Sequence, residues 1–139
     1  MPEYACRAGD KVKTPFHFGK TLSSNQANFD GNYPYGGAEK GMYLERSCKV
    51  GSYKPNAFGL YDMHGNVWEW CSDRYGEKYY ASSPTADPSG PAVGLGRVVR
   101  GGGWDYGGAS DCRSAYRFWD AEENSLNSIG FRVAMVPAK

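Results

Sequence analysis

Between Gly59 and Trp70 the chain reads Gly-Leu-Tyr-Asp-Met-His-Gly-Asn-Val-Trp-Glu-Trp. Asp62, Asn66 and Glu69 therefore sit among two tryptophans, a tyrosine and two glycines. Burying an acid beside tryptophan is costly unless the acid has a partner. Any fold of this chain must let these carboxylates pair with arginine, bind a metal, or stay at the surface. No sustained 3.6-residue apolar stripe occurs elsewhere, so a helical bundle is not expected.

The 139 residues support one domain, 1–139, with enough chain for a hydrophobic core. Its apolar share is carried by aromatics: 11 Tyr, 6 Phe and 4 Trp. Tyr and Trp bury large faces yet keep a polar tip to satisfy. With 19 glycines, about twice the usual share, the composition points to a loop-rich fold with many special backbone angles. The net charge of +1 gives no general pull toward nucleic acid or anionic lipid. No apolar run approaches the ~20 residues that span a bilayer. The first residues lack the basic start and apolar stretch of a signal peptide, so the default compartment is the cytoplasm. Cys6, Cys48, Cys71 and Cys112 are widely spaced, without a Cys-x-x-Cys pair; small, mostly buried thiols are expected.

Glu3–Arg7 reads as the last turn of a helix, with Gly9 as its stop. Thr21–Gly41 reads as an ordered loop, because Phe29, Tyr33 and Tyr35 are too many aromatics for a solvated linker. Asn66–Cys71 reads as a short turn or strand, and Tyr79–Leu95, with Pro84, Pro88 and Pro91, as a mobile surface loop. Arg97–Arg100 and Phe131–Val136 suit strands, and an antiparallel pairing of Arg97–Arg100 with Phe131–Met135 is expected. Trp68, Trp70 and Trp104 are expected in or near one aromatic core. His17 and His64 lie far apart without a Ser or Cys partner motif and read as hydrogen-bonded structural residues.

Three blocks recur in a fixed order: Gly59–Trp70, then Arg100-Gly-Gly-Gly-Trp104, then Ile129-Gly-Phe-Arg-Val-Ala134. Together with Glu3-Tyr-Ala-Cys-Arg-Ala-Gly9 and Pro55-Asn-Ala-Phe-Gly-Leu60, they resemble the formylglycine-generating enzyme (sulfatase-modifying factor) family. The resemblance covers nearly the whole chain. It implies an irregular α+β fold, a variant of the C-type lectin fold, with little regular secondary structure. In that family the Glu3–Gly9 segment lies well inside the domain. The chain is thus expected to be the C-terminal part of the domain or a minimal form of it. The surface left open predicts a homo-oligomer or a partner chain.

The resemblance also implies chemistry. Family enzymes oxidise a sulfatase cysteine to formylglycine, using two reactive cysteines that hold copper and activate oxygen; soft thiolates suit a cuprous ion. Here Tyr106 stands at the first cysteine position, and Cys112 is the only nearby thiol. No catalytic residue is assigned. A family calcium site maps onto Asp62 and Glu69 as side-chain ligands and Gly65 and Val67 as carbonyl ligands, a structural ion with the hard oxygens calcium takes. The alternative is that Asp62 and Glu69 pair with some of Arg100, Arg113, Arg117 and Arg132. A second family ion site would use Asn28 and the Phe29 carbonyl, but Lys40 stands where its acid belongs.

Two functions compete. The leading one is a non-catalytic ligand-binding domain on the lectin-like scaffold. Its face is Trp104, Asp105, Tyr106, Ser110, Asp111, Phe118, Trp119 and Asp120, a paratope-like set of rigid aromatics and small polar residues. The intervening Cys112–Arg117 matches the family framework and is expected to be buried, with the flanks exposed on one side. Some family members are diversified by retroelements that mutate adenines, and Asp, Tyr, Gly and Ser are all reachable that way. The ligand, protein or small molecule, is not specified by the sequence. The alternative is a copper- or iron-dependent oxidoreductase of the formylglycine-generating type.

Overall fold

The computed structural model describes residues 2–9, 13–86 and 88–135. Helix α1, Pro2–Cys6, is a single turn braced by an Arg7–Glu3 ion pair at 3.0 Å. It stops where expected, and the hydrogen bonds show how. Gly9 N–H donates to the Tyr4 carbonyl and Ala8 N–H to that of Ala5, both at 3.1 Å. This is the Schellman pattern, which satisfies carbonyls the helix leaves free. Ala8 takes the left-handed angle, φ +52°, that glycine usually supplies.

Four short strands form one mixed sheet in the order β3-β2-β1-β4. They are β1 Trp68–Arg74, β2 Arg97–Arg100, β3 Phe118–Asp120 and β4 Ile129–Gly130. β2 lies antiparallel to β1, with Glu69 opposite Arg100 and Trp70 opposite Val99. It also lies antiparallel to β3, with Val98 opposite Trp119 and Val99 opposite Phe118. β4 joins β1 in parallel, Trp68 opposite Ile129. The expected pairing of Arg97–Arg100 with Phe131–Met135 is therefore incorrect. Both edges of β2 are already taken, and a strand has only two. Residues 131–135 form no strand, and Phe131, Val133 and Met135 are exposed. Val136 lies outside the described residues.

The core is also displaced from its expected place. Phe16, Leu22 and Phe29 are fully buried and cluster with Ala27, Ala109 and Cys112. Phe18 and Tyr35 pack against them. Each phenylalanine so buried contributes about 2–3 kcal/mol. Two of the three residues lie in the Thr21–Gly41 loop, which is ordered as expected and closed by a Leu22–Tyr35 bridge. Of the three tryptophans expected in or near one aromatic core, Trp68 is buried and Trp70 and Trp104 are half-buried. Residues 79–81 make one 3₁₀ turn, and most of the described 79–95 segment is exposed.

Gly65 and Asn66 join four stretches of chain. Asn66 N–H donates to the Asn28 carbonyl and Gly65 N–H to the Gly101 carbonyl, both at 2.7 Å. The Asn66 carbonyl accepts from Trp104 N–H at 3.1 Å. Its side-chain oxygen accepts from Cys48 N–H at 2.9 Å and Asn28 Nδ2 at 3.2 Å. Both residues have positive φ, and a Cβ on Gly65 would lie 2.4 Å from the Asn28 carbonyl oxygen. Only glycine permits that approach.

His64 fastens the core to the framework as a hydrogen-bonded structural residue, as expected. Its ring is 2% exposed. Nδ1 lies 2.6 Å from the Cys112 carbonyl, an acceptor only, so Nδ1 carries the proton. Nε2 then accepts from His17 N–H at 3.1 Å. Burial, which disfavours the charged ring, pushes the His64 pKa down to about 4. An unfolded histidine protonates near 6.5, so between these values unfolding takes up a proton. Stability from this group is complete above pH ~6.5 and falls as pH drops toward 4, by roughly 3 kcal/mol in all. Melting curves from pH 7 to 4 are expected to fall, and His64→Gln to remove most of that slope. Equal slopes in both proteins would contradict the neutral, buried assignment.

Candidate ligand-binding face

Arg100 fixes the floor of the face. It is 8% exposed and donates to the Ser114 and Tyr116 carbonyls at 3.1 Å each and to Tyr80 Oη at 2.7 Å. These bonds hold the Ser114–Tyr116 segment against β2. Gly103 lets the chain pass close over Trp68, since a Cβ there would lie 2.7 Å from the indole. β3 then presents Phe118 on the same side.

The result is a pocket of about 180 Å³. Its walls are the rings of Trp68, Tyr106, Tyr116 and Phe118, with Val99, Leu126 and Ile129 behind them. Trp68 stands 6.1 Å from Tyr116 and 6.3 Å from Phe118, centroid to centroid. Asp105, Asp111 and Asp120 supply its carboxylates, and Ser128 completes it. A shallower hollow of about 410 Å³ adjoins it, lined by Asp30, Tyr33, Pro34, Asp105, Tyr106, Gly107 and Ser110. Tyr106, 78% exposed, belongs to both.

Of the eight residues expected on the face, Asp105, Tyr106, Asp111, Phe118 and Asp120 line the pocket, and Ser110 lines the neighbouring hollow. Trp104 lines neither; it is half-buried, and its indole N–H is buried without a partner. Trp119 also lies outside both and packs near Tyr75, at 6.4 Å between centroids. Alternation along β3 sends it to the opposite side from Phe118. Within the framework segment Cys112 and Ser114 are buried, whereas Ala115 is exposed. Trp68, Tyr116, Leu126, Ser128 and Ile129 were missed as pocket residues. Their only sequence signal was membership of the framework blocks or of the stretch just before Ile129.

The three carboxylates differ. Asp105 Oδ1 is buried with no hydrogen-bond partner. Asp120 Oδ1 accepts from Ala121 N–H at 2.8 Å and Asn124 Nδ2 at 2.6 Å. Asp111 accepts from Ser110 Oγ at 3.1 Å, and burial pushes its carboxyl above the usual range.

The expected calcium residues are engaged otherwise. Arg132 grips both oxygens of Glu69, through Nε at 2.6 Å and through its terminal nitrogen. It also donates to the Tyr61 carbonyl at 3.1 Å and that of Asp62 at 3.3 Å. The Asp62 carboxylate accepts from Gly51 N–H at 2.8 Å. Gly65 and Val67 lie in the same turn, but a cation in this arrangement would have to displace the guanidinium. As placed, the Glu69 and Asp62 carboxylates already have partners in Arg132 and the Gly51 amide. At the second family position, Asn28 Oδ1 is buried without a partner, and Lys40 is exposed. Among the described residues, no group of three or more His, Cys, Asp and Glu side chains could hold a metal.

The four cysteines are free thiols, Cys6 and Cys112 buried and the other two half-buried. Burial pushes all four pKa values up, that of Cys71 to about 11. Such thiols are poor nucleophiles at neutral pH. Among the described residues no helix is long and apolar enough to cross a membrane.

An irregular frame with a small mixed sheet and a loop-built face defines a C-type lectin-like domain of the formylglycine-generating enzyme type. Residues 2–136 match the sulfatase-modifying factor enzyme 1-like domain, and the chain belongs to that family. It is 40% identical over 110 residues to a formylglycine-generating enzyme of Streptomyces coelicolor, covering 76% of this chain and 34% of that protein. Among solved structures it resembles Treponema denticola variable protein 1, with a TM-score of 0.71 and 30% identity over 94% of this chain and 43% of that one. It also resembles PvdO from Pseudomonas aeruginosa, with a TM-score of 0.68 and 32% identity over 94% and 48%. The chain thus spans about a third of the Streptomyces enzyme and under half of either solved structure.

Family membership leaves the ion question to Arg132. Added calcium or chelator is expected to leave the melting curve unchanged. Arg132→Met is expected to cost about 1 kcal/mol or less, because the pair is partly exposed. A melting temperature that rises with calcium and loses that rise in Glu69→Ala would mean that an ion replaces the guanidinium.

Proposed function

We propose that this chain is a non-catalytic ligand-binding domain on a C-type lectin-like scaffold. The observation that carries the reading is convergence: residues 105–111 and 118–120, apart in sequence, close on one aromatic-walled pocket. Small-ligand sites are concave, mostly apolar, and carry a few placed polar groups. Loops held on a rigid frame are where binding residues concentrate. The likeness to a protein titled variable protein 1 supports a scaffold whose face changes while its frame stays. A face diversified by adenine mutagenesis fits the Asp, Tyr, Gly and Ser of 105–111. The oxidoreductase alternative draws on the likeness to the Streptomyces enzyme, but it needs an activated thiol pair. Tyr106 stands at one of those positions, and Cys112 is fully buried.

Peptides selected from a display library against this chain test the reading. Tyr106→Ala and Phe118→Ala are each expected to weaken the selected binders at least ~30-fold, the equivalent of a ~2 kcal/mol hot spot. Tyr106→Ala should move stability by less than about 0.5 kcal/mol, as exposed substitutions do. A cysteine peptide incubated with the chain, copper and oxygen should stay unmodified. Undiminished binding by both variants, unfolding of both, or formylglycine formation would overturn the proposal.

A further inference from the structure

We infer that the pocket receives a methylated ammonium group, carried either by a small organic cation or by a modified lysine of a polypeptide. This rests on the binding-face reading above and specifies what the face takes.

The argument begins with the walls. Four rings, Trp68, Tyr106, Tyr116 and Phe118, surround one space of about 180 Å³. Trp68 packs against both Tyr116 and Phe118, at 6.1 and 6.3 Å between centroids, so the three rings form one continuous aromatic wall for a group in the space beside them. Aromatic faces are negative, and a cation within ~6 Å of a ring centroid is attracted. The attraction grows where water is excluded, and the buried Val99 and half-buried Ile129 give the pocket an apolar wall. Methyl groups on the cation would bury against the same apolar wall.

Charge points the same way. Three aspartates line the pocket, and among the described residues no Lys, Arg or His does. A neutral apolar ligand would add no charge to balance them, and only Asp111 and Asp120 find hydrogen-bond donors among the described residues. Asp105 Oδ1 is already buried without a partner, an arrangement that a bound positive charge relieves. Arg113 comes nearest to supplying an internal cation. Its guanidinium lies 5.6 Å from the centroid of Tyr116, and its Nε is committed to the Ser110 carbonyl at 2.7 Å. It forms no ion pair with the three aspartates within 4.0 Å. The chain uses the same chemistry elsewhere: Arg117 sits 4.7 Å from the Tyr75 centroid and 4.3 Å from that of Tyr80. There the cation belongs to the protein; at the pocket Arg113 reaches only the Tyr116 ring, and among the described residues no cation of the chain lies over Trp68, Tyr106 or Phe118.

The test is an NMR titration of the whole chain with choline, with its neutral isostere 3,3-dimethylbutan-1-ol, and with a short peptide carrying trimethyl-lysine. Choline or the peptide is expected to bind at least about 10-fold more tightly than the alcohol, with shifts at residues 105–111 and 116–120. A tenfold preference is what cation–aromatic attraction of the usual strength provides. The tighter of the two cationic probes identifies the source of the group. Asp105→Asn keeps the shape and removes the charge, so it should erase most of the preference while the alcohol binds as before. Equal affinity for choline, peptide and alcohol, with shifts in the pocket, would overturn the cation inference and leave the binding face standing. Shifts confined to other surfaces, or no binding by any probe, would overturn the cation inference. In that case the selected peptides decide the binding face separately.

Discussion

The close passage of Gly65-Asn66 beneath the Asn28 carbonyl is the constraint on which the rest of this domain depends. A chain with so little regular structure cannot satisfy its backbone within helices and long strands, so the unpaired groups must meet one another directly. Gly65 and Asn66 do this for three other segments, bonding to residue 28, residue 48 and residues 101 and 104. Each bond is worth only about 1 kcal/mol net, yet leaving any buried member unpaired costs more. The steric condition is sharper: 2.4 Å from a virtual Cβ to an oxygen leaves no room for a side chain at position 65. The glycine and asparagine of this block thus serve the frame rather than chemistry.

From that hub the pocket follows. Trp104 is fixed by the hydrogen bond its N–H donates to the Asn66 carbonyl, and the next residue, Asp105, lines the pocket. On the far side, Arg100 holds the carbonyls of residues 114 and 116 and so sets where β3 begins. A buried arginine bonded to carbonyls and a tyrosine hydroxyl is satisfied without a carboxylate, so none of the three pocket aspartates is tied to it. Frame and face are therefore distinct in chemistry. The frame uses backbone carbonyls, amides and one neutral histidine; the face uses rings and acids.

What the sequence disclosed, and what it hid, follows the range of each interaction. The helix stop near Gly9 was legible because a Schellman turn is local. β2 was legible because Arg97-Val-Val-Arg100 is a β-branched run. Its partners were not, because β3 has three residues and β4 two, too few for alternation to register. The core around Phe16, Leu22 and Phe29 was hidden since those residues follow no period. Glu69 was given four possible arginines; Arg132, 63 residues away, was among them, and only the fold could choose it. Six of the eight residues proposed for the face line the pocket or its neighbouring hollow, and Tyr106, Asp111 and Phe118 among them stand where the family framework is interrupted. Trp119 was misplaced because neighbouring strand residues point to opposite sides, a distinction that needs the strand to be known.

Native-state hydrogen exchange tests the separation of frame from face most directly. Buried, hydrogen-bonded amides at the centre of a frame open only with global unfolding, whereas amides in independent loops open locally. The amides of Gly65, Asn66 and Trp104 are predicted to exchange at the global limit, in the native chain and in a Tyr106→Ala/Phe118→Ala double variant alike. Rapid local exchange at these amides, or a loss of their protection in the double variant, would contradict the account.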